Sequence, residues 1–257
     1  MADYQDILYT VKDHIATITI NRPKSLNAFT GDTIGEMVDA VKNASADRDV
    51  GVLVITGVGE RAFCVGGDVK WEADGGLEGL DFPLNQMILE CPKPVIARVN
   101  GYSIGGGNHL AYFCDLTIAA EHAIFGQNGP RVGSPASGYI VGYLANVVGH
   151  KRAREMWMVL RKYSAREMLD WGLVNAVVPY EQLDAEVNKW AQEMLALSPT
   201  CLRLIKQTFR DNVGHLMDQT MKKMISTHAP NYFDTGEQQE GANAFLEKRA
   251  PDFSPWR

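Results

Sequence analysis

The sequence lacks the residue groupings that hold metals and disulfides. Its four cysteines, Cys64, Cys91, Cys114 and Cys201, are far apart and form no Cys-x-x-Cys pair, and its six histidines are equally scattered. This spacing is typical of reduced, buried thiols and does not match the short ligand motifs of zinc sites. We therefore expect neither a disulfide framework nor a bound metal.

Long apolar runs and an excess of positive charge are also missing. No stretch approaches the ~18 apolar residues of a membrane span, and the acidic first six residues lack the basic and apolar regions of a signal peptide. A formal net charge of −6 gives no basic face to nucleic acid or to an anionic membrane. These absences predict a cytoplasmic protein with neither kind of partner.

The chain does have enough apolar residues for one substantial core. It is 257 residues long and 46% apolar, and no repeat, low-complexity tract or charge block marks a second domain. Alternation of apolar and polar residues predicts a hairpin over 8–20, and helical spacing predicts helices over 31–45, 151–171 and 183–197. Residues 71–83 have no period and several glycines, so we expect a flexible loop there.

Two glycine clusters, at residues 63–68 and 100–108, are the most informative feature. Each follows a strand-like run, at 52–56 and 95–99, so each lies where a strand ends and a helix begins. Glycine lets the backbone approach a ligand closely, and N–H groups from two such loops can bind one carbonyl oxygen as it gains negative charge. The clusters therefore predict an oxyanion hole, and turn formation alone is the alternative.

Neither cluster is a phosphate loop. No Gly-Lys-Ser/Thr sequence follows, and the triple glycine at 105–107 lacks the spacing of a dinucleotide fingerprint.

Several segments, in order along the chain, carry a family resemblance. They lie at residues 20–29, 63–68, 100–108, 114–120, 123–127 and 172–175. Together they resemble the crotonase (enoyl-CoA hydratase/isomerase) superfamily nearly end to end. The resemblance implies an α/β crotonase (ClpP-like) fold of repeated ββα units in two roughly perpendicular sheets. It also implies a core over 1–195 and a C-terminal helical trimerisation region over 196–257, in a homotrimer or a homohexamer that is a dimer of trimers.

The resemblance also implies the ligand and its contacts. The substrate would be an acyl-CoA, with coenzyme A present as part of the substrate and no permanently bound cofactor. The N–H groups of Gly67 and Gly106 would hold the thioester oxygen. Residues expected to contact the coenzyme A portion are Arg22, Lys24, Leu26, Ala28, Gly66, Asp68 and Lys248.

The acid–base groups of the hydratases are missing. Two carboxylates position water in that reaction, and the matching positions here are His109 and Gly129. Residues 124–134, 149–157 and 240–253 instead resemble 1,4-dihydroxy-2-naphthoyl-CoA synthase and 2-ketocyclohexanecarboxyl-CoA hydrolase. Here too the chain departs, with Ala136 where these relatives carry aspartate and Phe233 where they carry tyrosine, although Tyr232 is adjacent.

Replacement groups can be named from their positions. His109 lies at a helix start, where the helix dipole favours a neutral imidazole. Ser134 can hydrogen-bond a substrate carbonyl or cap the next helix, and Tyr139 and Tyr143 share a helix face, where packing is the alternative to catalysis. The loop acids Glu72, Asp74 and Glu78 can supply a carboxylate from the loop, and solvation is the interpretation that we prefer for them.

Three functions remain open at this stage. The leading hypothesis is a lyase or hydrolase that stabilises a thioester enolate while a carbon–carbon bond is made or broken in a cyclic or aromatic-derived acyl-CoA. The second is a hydratase or isomerase of an unsaturated alicyclic acyl-CoA. The third is a family member that binds acyl-CoA without catalysis.

Overall fold

The computed structural model describes residues 4–77, 83–217 and 221–256, and of residues 217, 221 and 222 only the backbone. Ten strands lie in these ranges: β1 Ile7–Lys12, β2 Ile15–Ile20, β3 Val52–Gly57, β4 Ala62–Cys64, β5 Val95–Val99, β6 Tyr102–Ile104, β7 Leu116–Ala120, β8 Ile124–Gly126, β9 Lys162–Ser164 and β10 Ala176–Val178.

Helices connect and cover these strands. Those in the described ranges are α1 Gly31–Ala46, α2 Val69–Trp71, α3 Pro83–Glu90, α4 Gly106–Phe113, α5 Gly129–Val132, α6 Tyr139–Val148, α7 His150–Val159, α8 Ala165–Trp171, α9 Leu183–Leu195, α10 Pro199–Asn212, α11 Gly214–Met217, α12 Met221–His228 and α13 Glu237–Leu246.

The predicted N-terminal hairpin is confirmed. Strands β1 and β2 pair antiparallel from Ile7 opposite Ile20 to Lys12 opposite Ile15. The connecting residues Asp13 and His14 have φ of 49° and 65°, which is the left-handed pair that a two-residue hairpin turn requires. Helix α1 follows, and its side chains Ile34, Met37 and Val41 are buried as its period predicts.

From β3 to β8, successive strands alternate between two sheets. The larger sheet has the order β1-β2-β3-β5-β7-β10 and the smaller has β4-β6-β8-β9. Strands β3, β5 and β7 pair parallel in the first sheet, and β4, β6 and β8 pair parallel in the second. Each unit thus contributes one strand to each sheet before a helix, and the predicted repeated ββα fold is confirmed.

The large sheet is buried on both faces. One face belongs to the main core, which includes Leu53, Ile55 and Val95. The other face presents Val54 and Ile96 to α9 in a second, smaller cluster. Strand β3 is therefore buried along its whole length, which explains its continuous apolar sequence.

Two sequence-based expectations are wrong, one for the segment 71–83 and one for Cys201. Residues 71–77 are not a loop, because α2 continues into a π-helical turn at Glu72–Gly76, and Pro83 begins α3. Residues 78–82, including Glu78, lie outside the described residues. Cys201 is exposed, whereas Cys64, Cys91 and Cys114 are buried as expected.

The C-terminal segment packs against its own chain. Helix α13 contacts α5, α2 and the π turn, and buries Gln238, Gly241, Ala242 and Ala244. Upstream, α10 is anchored by Lys206, whose Nζ donates to Asp115 Oδ2 at 2.6 Å. In the described ranges no helix combines the length and the apolar character that a bilayer-crossing segment needs.

Candidate active site

The two glycine clusters meet at one cavity. Short strands β4 and β6, which pair side by side, lead into them, and the chain then enters α2 and α4. A Cβ built on Gly66 would lie 3.0 Å from Gly106 N, so the two loops are in backbone contact. Gly67 and Gly106 both line the cavity, which has a volume of about 100 Å³ and therefore has room for several water molecules.

Backbone geometry directs both candidate N–H groups. Phe29 N donates to Gly66 O and Asp68 N donates to Phe29 O, in a parallel bridge between Phe29 and Gly67. The N–H of Gly67 therefore points away from Phe29, as alternate residues of a strand do. Gly106 is the first residue of α4, where the N–H groups have no partner within the helix.

Close packing requires glycine at this meeting point. Gly66 has a φ of 93°, and a Cβ on Gly107 would overlap Cys64 O. A side chain on Gly106 would overlap the Phe29 ring. The glycines thus allow α4 to begin directly against β4.

Glu72 is the residue that the sequence interpretation misplaced. Its side chain lines the cavity and only 6% of the residue is exposed. The carboxyl lies so close to Gly67 that a Cβ there would overlap Glu72 Oε1. The expectation of a solvated loop acid is therefore wrong for Glu72, whereas Asp74, two residues on, is exposed.

Burial sets the protonation of Glu72. Desolvation raises its pKa from 4.5 to about 7, opposed by a hydrogen bond from Ser134 and assisted by the nearby charge of Asp68. No lysine or arginine is found among the described residues that line the cavity. Both the acid and the base form of Glu72 are therefore available near neutral pH, as a proton-transfer group requires.

The sequence around Glu72 explains how its side chain reaches the cavity. Asp68 caps α2 by accepting hydrogen bonds from Lys70 N and Trp71 N. Glu72 follows four residues after Asp68, on the same helical face, and Gly75 breaks the turn with a φ of 88°. That spacing is a signal in the sequence, but the glycine-rich composition around it concealed the helical turn.

His109 also lines the cavity, but its environment differs from the predicted one. His109 is half-buried, its ring packs between Tyr112 and Trp157, and its Nε2 lies 3.1 Å from Gln127 Oε1. Burial lowers the pKa of His109 to about 4. The ring is thus neutral near pH 7, as predicted from the helix start, and it is a weak proton acceptor there.

Two buried donors beside the cavity have no partner among the described residues. These are Gln127 Nε2 and Trp157 Nε1, on residues that are 3% and 8% exposed. Both side chains line the cavity and both contact His109. A buried N–H without an acceptor is costly, so an acceptor oxygen within reach of either donor would be stabilised.

The positions where relatives carry carboxylates face the same cavity. Gly129 and Ala136 both line it and contribute no polar side chain. A Cβ on Gly129 would lie 2.6 Å from Ser134 O, so the loop closes tightly at this glycine. The described residues also contain no cluster of three or more His, Cys, Asp or Glu side chains able to hold a metal.

The tyrosines predicted nearby have other contacts. The rings of Tyr139 and Tyr143 pack against Phe113, at centroid distances of 5.6 and 4.6 Å, and neither is among the lining residues of the cavity. Tyr232 donates from its hydroxyl to Gly133 O at 2.8 Å. A catalytic role for Tyr139 stays a prediction, and the structure gives that ring a position in the core.

The residues predicted to contact coenzyme A lie in different environments. Arg22 is held by Asp6 and Asp68, each 3.4 Å away, and by Ala28 O. Gly66 lines the cavity, Leu26 is half-buried and Ala28 is buried. Lys24 and Lys248 are exposed. Coenzyme A contacts therefore stay a prediction, and Arg22 would have to share its guanidinium with two carboxylates.

Comparisons with known proteins agree with this geometry. A family model described as enoyl-CoA hydratase/isomerase matches residues 10–255. An enoyl-CoA hydratase from Mycobacterium avium subsp. paratuberculosis K-10 is 30% identical, with a TM-score of 0.86, over 97% of this chain and 99% of that one. An enoyl-CoA hydratase/isomerase from Xanthobacter autotrophicus Py2 is also 30% identical, with a TM-score of 0.80, over 97% and 100%.

A further solved structure carries a different activity in its name. It is a methylmalonyl-CoA decarboxylase in complex with 2-nitronate-propionyl-CoA. It is 26% identical to this chain, with a TM-score of 0.86, over 97% of this chain and 98% of that one. The same overall fold therefore accompanies more than one reaction of CoA thioesters among these proteins.

Proposed function

Because this chain belongs to the enoyl-CoA hydratase/isomerase family, whose members are acyl-CoA processing enzymes, we propose that it stabilises a thioester enolate while a carbon–carbon bond is made or broken beside it. The N–H groups of Gly67 and Gly106 would hold the enolate oxygen. One well-placed donor of this kind is worth roughly 3 to 4 kcal/mol of transition-state stabilisation.

The observation that carries the proposal is the carboxyl group of Glu72. It is buried in the cavity, lies against Gly67 and has a pKa of about 7. A carbon atom next to a thioester carbonyl held by Gly67 would therefore be near a group that can give or take a proton. Glu72, and not His109, is the acid–base residue in this proposal.

The chemistry is clearest for hydrolytic opening of a 2-ketocyclohexane acyl group. Ionised Glu72 accepts a proton from water as the water oxygen adds to the ring ketone carbon. The bond from that carbon to the α-carbon then breaks, and its electron pair enters the thioester as an enolate. Glu72 returns the proton to the α-carbon and is again ionised, so that one carboxyl group serves both steps.

The part of the cavity lined by Gln127 and Trp157 favours an acyl group that carries a second oxygen atom. Gln127 Nε2 and Trp157 Nε1 are buried donors without a partner in the described residues, and a ring ketone would supply an acceptor. A hydrocarbon ring would leave both donors unpaired. These two donors therefore favour a keto-substituted ring over a purely alkenyl one.

One observation favours a second candidate, a double-bond isomerase. Glu72 is the sole carboxyl group among the described residues that line the cavity, and a single carboxyl suffices to move a proton between two carbons. Hydration by a pair of carboxylates is disfavoured for the same reason. The methylmalonyl-CoA decarboxylase likeness supports the first candidate, since a decarboxylase breaks a carbon–carbon bond.

Mass spectrometry of three incubations separates the candidates. The CoA esters are 2-ketocyclohexanecarboxyl-CoA, o-succinylbenzoyl-CoA and cyclohexenecarboxyl-CoA. Gain of water by the first or loss of water by the second supports carbon–carbon chemistry. Hydration of the third, seen as a gain of water, or its isomerisation, seen as a new chromatographic retention time at unchanged mass, with the first two esters unchanged, would instead support the hydratase or isomerase. Binding of all three without any reaction would overturn the enzymatic proposal and favour an acyl-CoA-binding protein.

A further inference from the structure

The C-terminal segment makes two hydrogen bonds to the backbone around Glu72 and Ser134, one to Glu72 O and one to Gly133 O. We propose that Tyr232 and Gln238 are positioning residues, which hold Ser134 against Glu72 and so let the C-terminal segment set the acid–base behaviour of its own chain's cavity. This inference rests on the proposed role of Glu72. It assigns a catalytic purpose to a region that the sequence indicated only as a subunit contact.

Gln238 fixes the backbone of Glu72. Its side chain is buried, with the residue 2% exposed, and Nε2 donates to Glu72 O at 3.2 Å across 166 positions of sequence. That carbonyl lies at the start of the π turn, where the helical hydrogen-bonding pattern is irregular. A bond from outside the turn therefore holds Glu72 where its own helix is least regular.

Tyr232 fixes the backbone beside Ser134. Its hydroxyl donates to Gly133 O at 2.8 Å, and Gly133 directly precedes Ser134, which lines the same cavity as Glu72 and lowers the pKa of its carboxyl. Burial raises the pKa of Tyr232 well above its usual value, so the phenol remains a neutral donor. The backbone of Glu72 and the backbone next to Ser134 are thus both tied to one seven-residue stretch, 232–238.

Helices α5 and α13 are packed against each other without a gap. A Cβ on Gly133 would lie 2.7 Å from Gln238 Cα, and one on Gly241 would lie 2.8 Å from Val132 O. Helices α5 and α13 are therefore in direct backbone contact. A displacement of α13 must move the loop that carries Ser134, because close-packed backbones cannot absorb it through side-chain rotation.

The charged and titratable groups around Glu72 determine the direction in which its pKa should change in the variants. Asp68, at the start of α2, raises its pKa, and the Ser134 hydroxyl lowers it. His109 of α4 shares the cavity and is neutral, and Tyr232 is near both Glu72 and Glu237 of the C-terminal segment. Loosening Ser134 removes the stabilising bond to the ionised form, so the midpoint of Glu72 should rise.

The test is a carbon-13 NMR titration of the glutamate carboxyls in the full chain without substrate. Glu72→Gln assigns the signal, and the variants are Tyr232→Phe and Gln238→Met, with Asn243→Ala on the exposed side of α13 as control. We expect each variant, but not the control, to raise the midpoint of Glu72 by about half a unit or more. Adding Ser134→Ala to either should raise it no further than Ser134→Ala alone.

The same variants then enter a pH profile of kcat/KM with whichever CoA ester is turned over. The limb of the kcat/KM profile that is assigned to Glu72 should move by the same number of pH units as the NMR midpoint. An unchanged midpoint in both variants, or a shift that simply adds to that of Ser134→Ala, would overturn the positioning role. If Gln238→Met does not fold, Tyr232→Phe decides the question.

Failure of the proposed function gives a different result. Because the NMR titration needs no substrate, a raised midpoint without turnover of any CoA ester supports the positioning role and rejects the proposed reaction.

Discussion

At the scale of single residues, Glu72 illustrates how an apolar cavity tunes the pKa of a carboxyl group without a cationic partner. Desolvation raises its pKa and the Ser134 hydroxyl restrains that rise, so the balance falls near 7. A lysine or arginine at the same place would have held the carboxylate permanently ionised. The absence of cations from the described lining residues is thus part of the tuning.

The first prediction concerns turnover and its pH dependence. We expect kcat/KM to change with a midpoint near pH 7, and Glu72→Gln to lower kcat by roughly 10²- to 10⁴-fold while the acyl-CoA affinity is retained. The exposed neighbour Asp74→Asn is the matched control and should keep both. Steady-state kinetics and calorimetric binding measure the two effects.

The His109→Asn variant separates the two titratable groups of the cavity. Since the pKa of His109 is lowered to about 4, this change should leave the midpoint near pH 7 in place. A midpoint that disappears in His109→Asn but persists in Glu72→Gln would assign the acid–base role to the histidine, as the sequence first indicated.

The second prediction concerns stability. Glu72 has a raised pKa when folded, so its contribution to the free energy of unfolding is fully present below pH 4.5 and is lost as pH rises through about 7. Glu72→Gln removes this loss. The variant should gain up to about 3 kcal/mol relative to the parent protein between pH 4.5 and pH 8.

Urea unfolding of both proteins at pH 4.5, 6 and 8 measures that difference. Comparing the two proteins at each pH cancels the titration of all other groups. A difference that stays constant over this range would mean that the carboxyl group titrates normally and is therefore solvated.

At the scale of elements, the start of α4 is the most constrained part of the fold. Its first turn begins against β4, with Gly107 directly over Cys64 O. The same turn presents Gly106 to the cavity. Packing and the candidate oxyanion hole therefore depend on the same few backbone atoms.

The third prediction compares two glycines in helices. Gly107→Ala would drive a Cβ into the Cys64 carbonyl, and we expect a loss of at least about 3 kcal/mol in the free energy of unfolding. Gly142→Ala in α6 would meet nothing closer than 3.6 Å, at the end of the Leu216 side chain, and should be neutral or stabilising by up to about 1 kcal/mol. Thermal unfolding of both variants tests the contrast, and equal effects would contradict the close approach of α4 to β4.

At the scale of the whole molecule, one helix face remains uncovered in the single chain. Leu204, Ile205 and Phe209 of α10 are exposed, with Phe209 72% exposed. Contiguous apolar side chains on a surface are typical of association sites. This face is consistent with the trimer or dimer of trimers expected from the family resemblance, which stays a prediction.

The fourth prediction tests that assembly. Sedimentation velocity of the full chain should give the mass of a trimer or a hexamer, and Phe209→Glu should shift it toward the monomer because a buried charge opposes association. Glu193→Lys, on an exposed position of α9, is the control for a change of charge. A monomer before any substitution would reject the assembly.

Short-range patterns in the sequence were sufficient to predict several local features of the fold. The hairpin turn at Asp13 and His14, the buried face of α1 and the strand before each glycine cluster were all predicted, because turn chemistry and periodicity are short-range properties. Glu72 was named only as one of three loop acids, and its burial was not predicted. Its burial depends on Ser134 and Gln238, which are distant in sequence, and the glycines after it indicated a loop.

The sequence by itself determined the two glycine turns and the family resemblance, because both depend on short segments of adjacent residues, and the resemblance in turn implied the repeated ββα fold. Only the tertiary structure decided which side chains the cavity contains. It paired Glu72 with Ser134, moved Tyr139 into the core and surrounded His109 with aromatic rings. The physical reason is that the pKa of a side chain depends on its burial, and burial is created by elements far apart in sequence.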